Sequence, residues 1–206
     1  MRLRHKKWAD SLLSEHQDIA LNDDDLSSLP AFDELELGSG CGEFLIQKAL
    51  NNPDNNYLGV EINNIAFAIA IKKMVGLEKI PTNLKFINTD AHKLLDLLKD
   101  ESLNRIYLNF NDPWPKKKHH KRRLTYVTML DIYYRLLKIG GEVLYKTDND
   151  ILYPDSVEYF KTFGKFDCDF IDDYISLDEG DVMSEYEKKF RGKGKSIHRI
   201  VARKTK

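Results

Sequence analysis

Short apolar runs of five to seven residues recur along the chain, separated by longer stretches in which apolar positions return at helical spacing. The runs at 33–37, 57–61, 84–88, 105–110, 142–147, 165–171 and 197–203 read as seven strands. Helical segments near 43–51, 63–75, 91–99 and 122–137 fall between the first five, each long enough for a right-handed crossover joining parallel strands. This alternation predicts an α/β fold. The last two runs have only an irregular acidic stretch at 172–181 and a short helical segment at 184–190 between them, so they are expected to form an antiparallel pair closing the sheet edge. A first helix around 8–20 and a polar link through Asn22-Asp23-Asp24-Asp25 precede the first strand. The expected organisation is one domain over 1–206, with residues 1–30 as a basic N-terminal helix and linker packed on it.

The length of 206 residues suits that single three-layer domain. A hydrophobic content of 42% supplies a core and excludes intrinsic disorder. Lys and Arg number 32 against 33 Asp and Glu, a net charge of −1, so a uniformly basic nucleic-acid coat is excluded and any basic site must be local. The longest apolar run, from Ile65 to Ile71, is far below the roughly 20 residues that cross a bilayer. The basic N-terminus, Met1-Arg-Leu-Arg-His-Lys-Lys-Trp8, continues into Ala9-Asp10-Ser11 where a signal peptide needs an apolar stretch, so a cytoplasmic protein is expected. Cys41 and Cys168 lie too far apart for a CxxC motif, and neither a disulfide framework nor a metal site is expected.

Glu36-Leu37-Gly38-Ser39-Gly40-Cys41-Gly42 follows the first strand and opens a helix, where open α/β sheets bind ligands. The spacing is GxGxG, not the GxGxxG of dinucleotide sites, and Glu36 and Glu43 flank it. Those carboxylates repel a phosphate but suit an ammonium or sulfonium group, and S-adenosylmethionine carries both. Glu61 ends the second strand, where a carboxylate can accept from a ribose diol, and Asp90 ends the third, where it can approach an adenine amine. Each has a plainer reading: Asp90 as a helix N-cap, Glu61 as a solvated strand end, the glycines as a tight turn. Three acids at three successive strand ends argue together for the ligand.

After the fourth strand, Asn109-Phe110-Asn111-Asp112-Pro113-Trp114-Pro115-Lys116 is stiffened by two prolines and sets a carboxylate beside an indole. It can read a base edge and cover an aromatic face, or be a turn with Trp114 plugging the core. Lys116-Lys117-Lys118-His119-His120-Lys121-Arg122-Arg123 then packs six cations and two histidines into eight residues. The run precedes a helix N-terminus, where the macrodipole disfavours cations, so phosphate binding explains it better than helix stability does. Further cations lie at Arg2, Arg4, Lys6 and Lys7, and at Lys188, Lys189, Arg191, Lys193 and Lys195. Asp148 in Lys146-Thr147-Asp148-Asn149 is another acid at a strand end, with a helix N-cap as its plainer reading, and Ser184-Glu185-Tyr186-Glu187 has the form of a capping box.

Over nearly its whole length the chain resembles the bacterial tRNA (guanine-N7)-methyltransferases, which modify guanine 46 in the variable loop. The likeness rests on Met1-Arg-Leu-Arg with Trp8-Ala9-Asp10, the glycine loop, Gly59-Val60-Glu61, Asn88-x-Asp90-Ala91, and Tyr107-Leu-Asn-Phe-Asn-Asp-Pro-Trp-Pro-Lys-Lys117 with Lys121-Arg-Arg-Leu-Thr125, joined by Lys146-Thr-Asp148 and Met183-Ser-x-Tyr-Glu187. It implies a Rossmann-like class I S-adenosylmethionine-dependent methyltransferase fold, a doubly wound α/β domain whose seven-stranded, mostly parallel sheet ends in an antiparallel last strand. By the resemblance Glu36, Gly38, Glu61, Asp90 and Asp112 would bind S-adenosylmethionine, and Asp112 would be catalytic. Lys116, Asp148, Ser184, Glu185, Tyr186 and Glu187 would hold substrate, and Lys118, His119, His120, Lys121, Arg122 and Arg123 would touch the RNA. The partner would be tRNA, with no membrane and no obligate protein partner, the chain acting as a monomer or homodimer. Two rivals share the fold class: a methyltransferase for an exocyclic base amine, whose motif places both prolines before the aromatic, and a non-catalytic RNA-binding subunit. A Rossmann dehydrogenase is disfavoured by the glycine spacing.

Overall fold

The computed structural model describes residues 7–175 and 181–206. Arg2, Arg4, Lys6 and the Met1-Arg-Leu-Arg motif lie outside the described residues, as does part of the acidic stretch at 172–181. The chain divides into two compact units, one up to Leu97 and one from Leu98.

The N-terminal unit runs α1 (Lys7–Glu15), β1 (Ala20–Asn22), a 3-10 turn (Asp23–Ser28), β2 (Glu34–Leu37), α2 (Glu43–Asn51), β3 (Tyr57–Val60), α3 (Asn64–Val75), β4 (Leu84–Asn88) and α4 (Ala91–Leu95). Its strands lie in the order β1-β4-β3-β2, all parallel. Every residue of β2 and β3 is buried, as expected of parallel strands covered on both faces. Ala9 of α1 packs with Ile65 and Ala68 of α3. The first helix stops at Glu15, short of the expected residue 20, because residues 20–22 pair with β4. That three-residue strand is too short to leave a periodic signal, and it makes the count eight strands among the described residues where the sequence predicts seven.

The C-terminal unit runs β5 (Leu103–Asn109), a 3-10 turn (Lys117–Arg122), α5 (Val127–Leu136), β6 (Leu137–Thr147), α6 (Leu152–Phe163), β7 (Phe166–Ile171), α7 (Glu185–Arg191) and β8 (His198–Lys204). The order is β5-β6-β8-β7; β5 and β6 are parallel, and β8 runs antiparallel to β6 and to β7. The antiparallel closing pair is thus present. The helix α6 has no counterpart in the sequence reading: Pro154 disguises it, yet a helix tolerates proline in its first turn, where the N–H groups have no intrahelical acceptor. The helix expected from Arg122 begins five residues later, at Val127, because most of the basic run coils into the tighter 3-10 turn. No helix among the described residues is long and apolar enough to cross a membrane.

Candidate functional site

In the N-terminal unit the loop after β2 places Gly38, Gly40 and Gly42 at φ of +74°, +54° and +76°. The N–H groups of Gly38 and Ser39 both donate to the Val60 carbonyl, at 2.8 and 3.0 Å, which pins the loop to the end of β3. The glycines are not equivalent. A Cβ on Gly42 would lie 2.7 Å from the Ala70 Cβ and 2.8 Å from the Phe86 ring, whereas one on Gly40 would meet nothing within 4 Å. The turn therefore packs on one side and opens on the other.

Glu61 is 9% exposed, not the solvated strand end of the plainer reading. Its Oε2 accepts from the Gly40 N–H at 2.9 Å and its Oε1 from the Asn63 N–H at 2.7 Å, so one carboxylate braces the glycine loop and the entry to α3. A carboxylate oxygen can accept more than one hydrogen bond, which suits a ligand hydroxyl. Glu36 is 2% exposed on β2 beside the loop, and the buried Ser39 Oγ has no hydrogen-bond partner among the described residues. Asp90 is half-buried and caps α4, accepting from the His92 N–H at 2.8 Å. Because β4, β3 and β2 are neighbours, Asp90, Glu61 and the glycine loop lie at three adjacent carboxyl ends, where open α/β sheets hold ligands. A turn open at Gly40, an orphaned hydroxyl at Ser39 and a row of carboxylates fit S-adenosylmethionine, with its cationic amino-acid end and its ribose diol.

In the C-terminal unit, the loop after β5 puts two bulky residues, Phe110 at φ +52° and Trp114 at φ +41°, in the left-handed region that such side chains rarely adopt. The Phe110 N–H donates to the Lys146 carbonyl at 2.9 Å. Asp112 is exposed, as are Lys116, Lys117, Lys118, Lys121 and Arg122. The Arg122 guanidinium sits 5.0 Å above the Trp114 ring, and His119 meets that ring edge-on at 5.8 Å.

Two members of the basic run depart from the expectation. Arg123, expected against RNA, is 1% exposed, and its guanidinium is spent on the Pro113 carbonyl, Asp155, Tyr159 and His120. His120 is likewise turned inward: its Nε2 meets Arg123 at 3.0 Å and its Nδ1 meets the Tyr159 hydroxyl at 3.3 Å. A guanidinium can only donate, so Nε2 accepts and the ring proton sits on Nδ1, leaving no ring nitrogen to face a phosphate.

Asp148 is half-buried at the end of β6, and the capping suggested for it falls to its neighbour: the Asn149 Oδ1 accepts from the Ile151 and Leu152 N–H groups at 3.0 and 2.8 Å. The Ser184 Oγ accepts from the Glu187 N–H at 3.1 Å, one half of the expected capping box. The Glu187 carboxylate, expected to hold substrate, is fully buried between Lys146 at 3.2 Å and Arg191 at 2.8 Å, and it anchors α7 to β6. Lys146 also meets Asp181 at 2.6 Å, and the Tyr174 hydroxyl donates to the same carboxylate at 3.0 Å. Burial disfavours the charge on Asp181, but Lys146 beside it, with hydrogen bonds from Lys146, the Val182 N–H and Tyr174, holds its carboxyl below the ordinary value. On α7, Tyr186 is 59% exposed and stacks at 6.3 Å on Phe110, and Glu185 is exposed. Ser39 stands inside the glycine motif, but nothing in the sequence reading gives its hydroxyl a role, and Asp155, Tyr159, Asp181 and Tyr174 have none there either. No motif marks the last four, because Arg123 and Lys146, around which they gather, lie far from them along the chain.

A family model described as "Putative methyltransferase" matches residues 31–200. The tRNA (guanine-N(7)-)-methyltransferase of Bacillus subtilis (strain 168) is 38% identical over 97% of this chain and 97% of its own length. That of Mycoplasma capricolum subsp. capricolum is 40% identical over 100% of both. Among solved structures, a precorrin-6y C5,15-methyltransferase from Geobacter metallireducens superposes with a TM-score of 0.60 at 13% identity, covering 99% of this chain and 91% of that one, a likeness of fold alone. The fold is the Rossmann-like α/β fold of class I methyltransferases. With two such relatives matched from end to end, this chain belongs to the tRNA (guanine-N(7)-)-methyltransferase family.

Proposed function

We propose that the chain transfers a methyl group from S-adenosylmethionine to N7 of guanine 46 in the variable loop of tRNA, in the cytoplasm. Family membership supports the reaction class, the donor and the tRNA substrate. The observation that carries the donor side of the reading is the open turn at Gly40 braced by Glu61, with Glu36 and Asp90 at the neighbouring strand ends.

When bound, S-adenosylmethionine supplies a methyl carbon that N7 displaces from sulfur, leaving a thioether and a guanine that has gained positive charge. In this reading Glu36, Gly38 and Ser39 take the amino-acid end, Glu61 the ribose hydroxyls and Asp90 the adenine amine. Guanine N7 has an in-plane lone pair free at neutral pH, so no residue has to remove a proton first, and orientation is the main catalytic resource. Asp112 accepts from guanine N1 and N2 and offsets the charge growing on the ring. Lys116, Asp148, Ser184, Glu185 and Tyr186 position the nucleotide, and Lys117, Lys118, His119, Lys121 and Arg122 follow the phosphates.

Incubating the protein with methyl-labelled S-adenosylmethionine and unmodified tRNA is expected to place the label in 7-methylguanosine at position 46. Label in an exocyclic amine, or no transfer despite tight tRNA binding, would favour the rival readings. Asp112→Asn should lower kcat by about 100-fold to 1,000-fold while tRNA affinity stays within a factor of two. Wild-type turnover in that variant would remove Asp112 from the mechanism.

A further inference from the structure

Arg123 is the one arginine or lysine of the basic run that the fold buries. A guanidinium has five N–H groups, and all five have acceptors here. Nε donates to the Pro113 carbonyl at 2.8 Å, Nη1 to the Asp155 carboxylate at 2.6 Å and the Tyr159 hydroxyl at 3.1 Å, and Nη2 to His120 at 3.0 Å and the Trp114 carbonyl at 3.5 Å. Pro113 and Trp114 are the two residues after Asp112, and Trp114 holds left-handed backbone that a bulky side chain keeps only where its surroundings enforce it. Asp155 and Tyr159 stand four residues apart on α6, hence on one face, and between them Ser156 meets the Thr125 hydroxyl at 2.8 Å. The loop that carries Asp112 is thereby tied at both its carbonyls, through one buried cation, to the face of a helix.

From this geometry we infer that Arg123 is a positioning residue: it fixes the turn at 113–114, and so the direction of Asp112, and does not contact RNA. The inference rests on the role given to Asp112 above. Lysine keeps the charge but presents a single ammonium in place of the planar fork, and it cannot span two carbonyls and the carboxylate together. A phosphate contact and a buried clamp also differ in their response to salt. Losing one phosphate contact lowers the slope of log affinity against log salt by about 0.7 to 0.9, and losing a clamp leaves the slope unchanged.

The full-length variants Arg123→Lys, Asp155→Asn and Tyr159→Phe are to be compared with wild type for kcat, KM for tRNA, the salt slope of tRNA binding, and thermal stability. Arg123→Lys is expected to lose kcat on the order of 100-fold, with tRNA affinity within a factor of two and the slope unmoved. Asp155→Asn should lose about 10-fold and Tyr159→Phe a few-fold in the same pattern, with Lys121→Ala as the control whose slope falls. If Arg123→Lys does not fold, the other two variants decide. Because lysine would keep the charge of a phosphate contact, the slope is also read in Arg123→Gln, where a reduced slope with weaker tRNA binding would overturn the inference in favour of a phosphate contact. Lower stability with wild-type kcat in all the folded variants would overturn it in favour of a merely structural role. Failure of wild-type protein to label tRNA guanine would instead overturn the reading of the function, so the two failures are distinguishable.

Discussion

The glycine loop after β2 and the Asp-Pro-Trp-Pro loop after β5 both turn the chain through left-handed backbone at the end of a parallel strand, and they reach that shape by opposite means. The first puts glycine at all three such positions, which adopt it without strain, and the Val60 carbonyl and the Glu61 carboxylate hold it. The second uses Phe110 and Trp114, and it is held from behind by a buried arginine, a helix face and a strand carbonyl. On the proposed function the difference follows the partner: a loop that lets a small donor approach its backbone would be shaped by missing side chains, and a loop that carries side chains toward an RNA would need its strain opposed by contacts elsewhere.

Substitutions can break this comparison, the strongest in the first loop itself. Gly42→Ala combines a left-handed φ with a Cβ 2.7 Å from Ala70, and should destabilise the protein by about 3–4 kcal/mol, the sum of backbone and overpacking penalties. Gly40→Ala, open to solvent at the same sign of φ, should cost about 1 kcal/mol, so urea denaturation of the two variants separates packing from φ. Equal losses would show that the Phe86 and Ala70 contacts do not matter.

Glu61→Gln comes next. The amide keeps one acceptor but turns a donor toward a backbone N–H, at a stability cost of about 2 kcal/mol, with calorimetry expected to show at least roughly 10-fold weaker S-adenosylmethionine binding. Unchanged binding would mean that the brace is not part of the cradle.

The smallest effect sharpens the contrast from the C-terminal side, where ion pairs do the holding. Asp181 has its carboxyl below the ordinary 3.8, so its charge adds stability that is whole above that value and is lost as pH falls through the lower folded value. Denaturant midpoints of wild type and Asp181→Asn should therefore differ at pH 6 and draw together as the pH is lowered below 3.8. A gap that stays constant throughout that descent would show that Asp181 acts by shape and not by charge.

The legible parts of the molecule are those whose cause is local. The span 43–51 for α2 and the span 84–88 for β4 match the structure, because apolar periodicity and flanking turn residues act within a few positions. The glycine loop was legible for the same reason, since only glycine suits three left-handed positions in five residues. Arg123 was not legible. In sequence it is the sixth cation of a run, and its separation from Lys121 and Arg122 depends on Asp155 and Tyr159, 32 and 36 residues away. Glu187 was half legible: its backbone N–H does bond Ser184, as the capping pattern requires, while its carboxylate goes to Lys146, 41 residues back.

By itself, then, the sequence determined the strand and helix alternation, the glycine turn and the acids at successive strand ends, and the local concentration of cations in a nearly neutral chain, because periodicity, backbone permissiveness and charge are properties of neighbouring residues. The tertiary structure alone decided which of those charges face outward and which are used up inside. Burial and ion pairing depend on what strand pairing and helix packing bring within about 3 Å, a distance that separation along the chain does not encode.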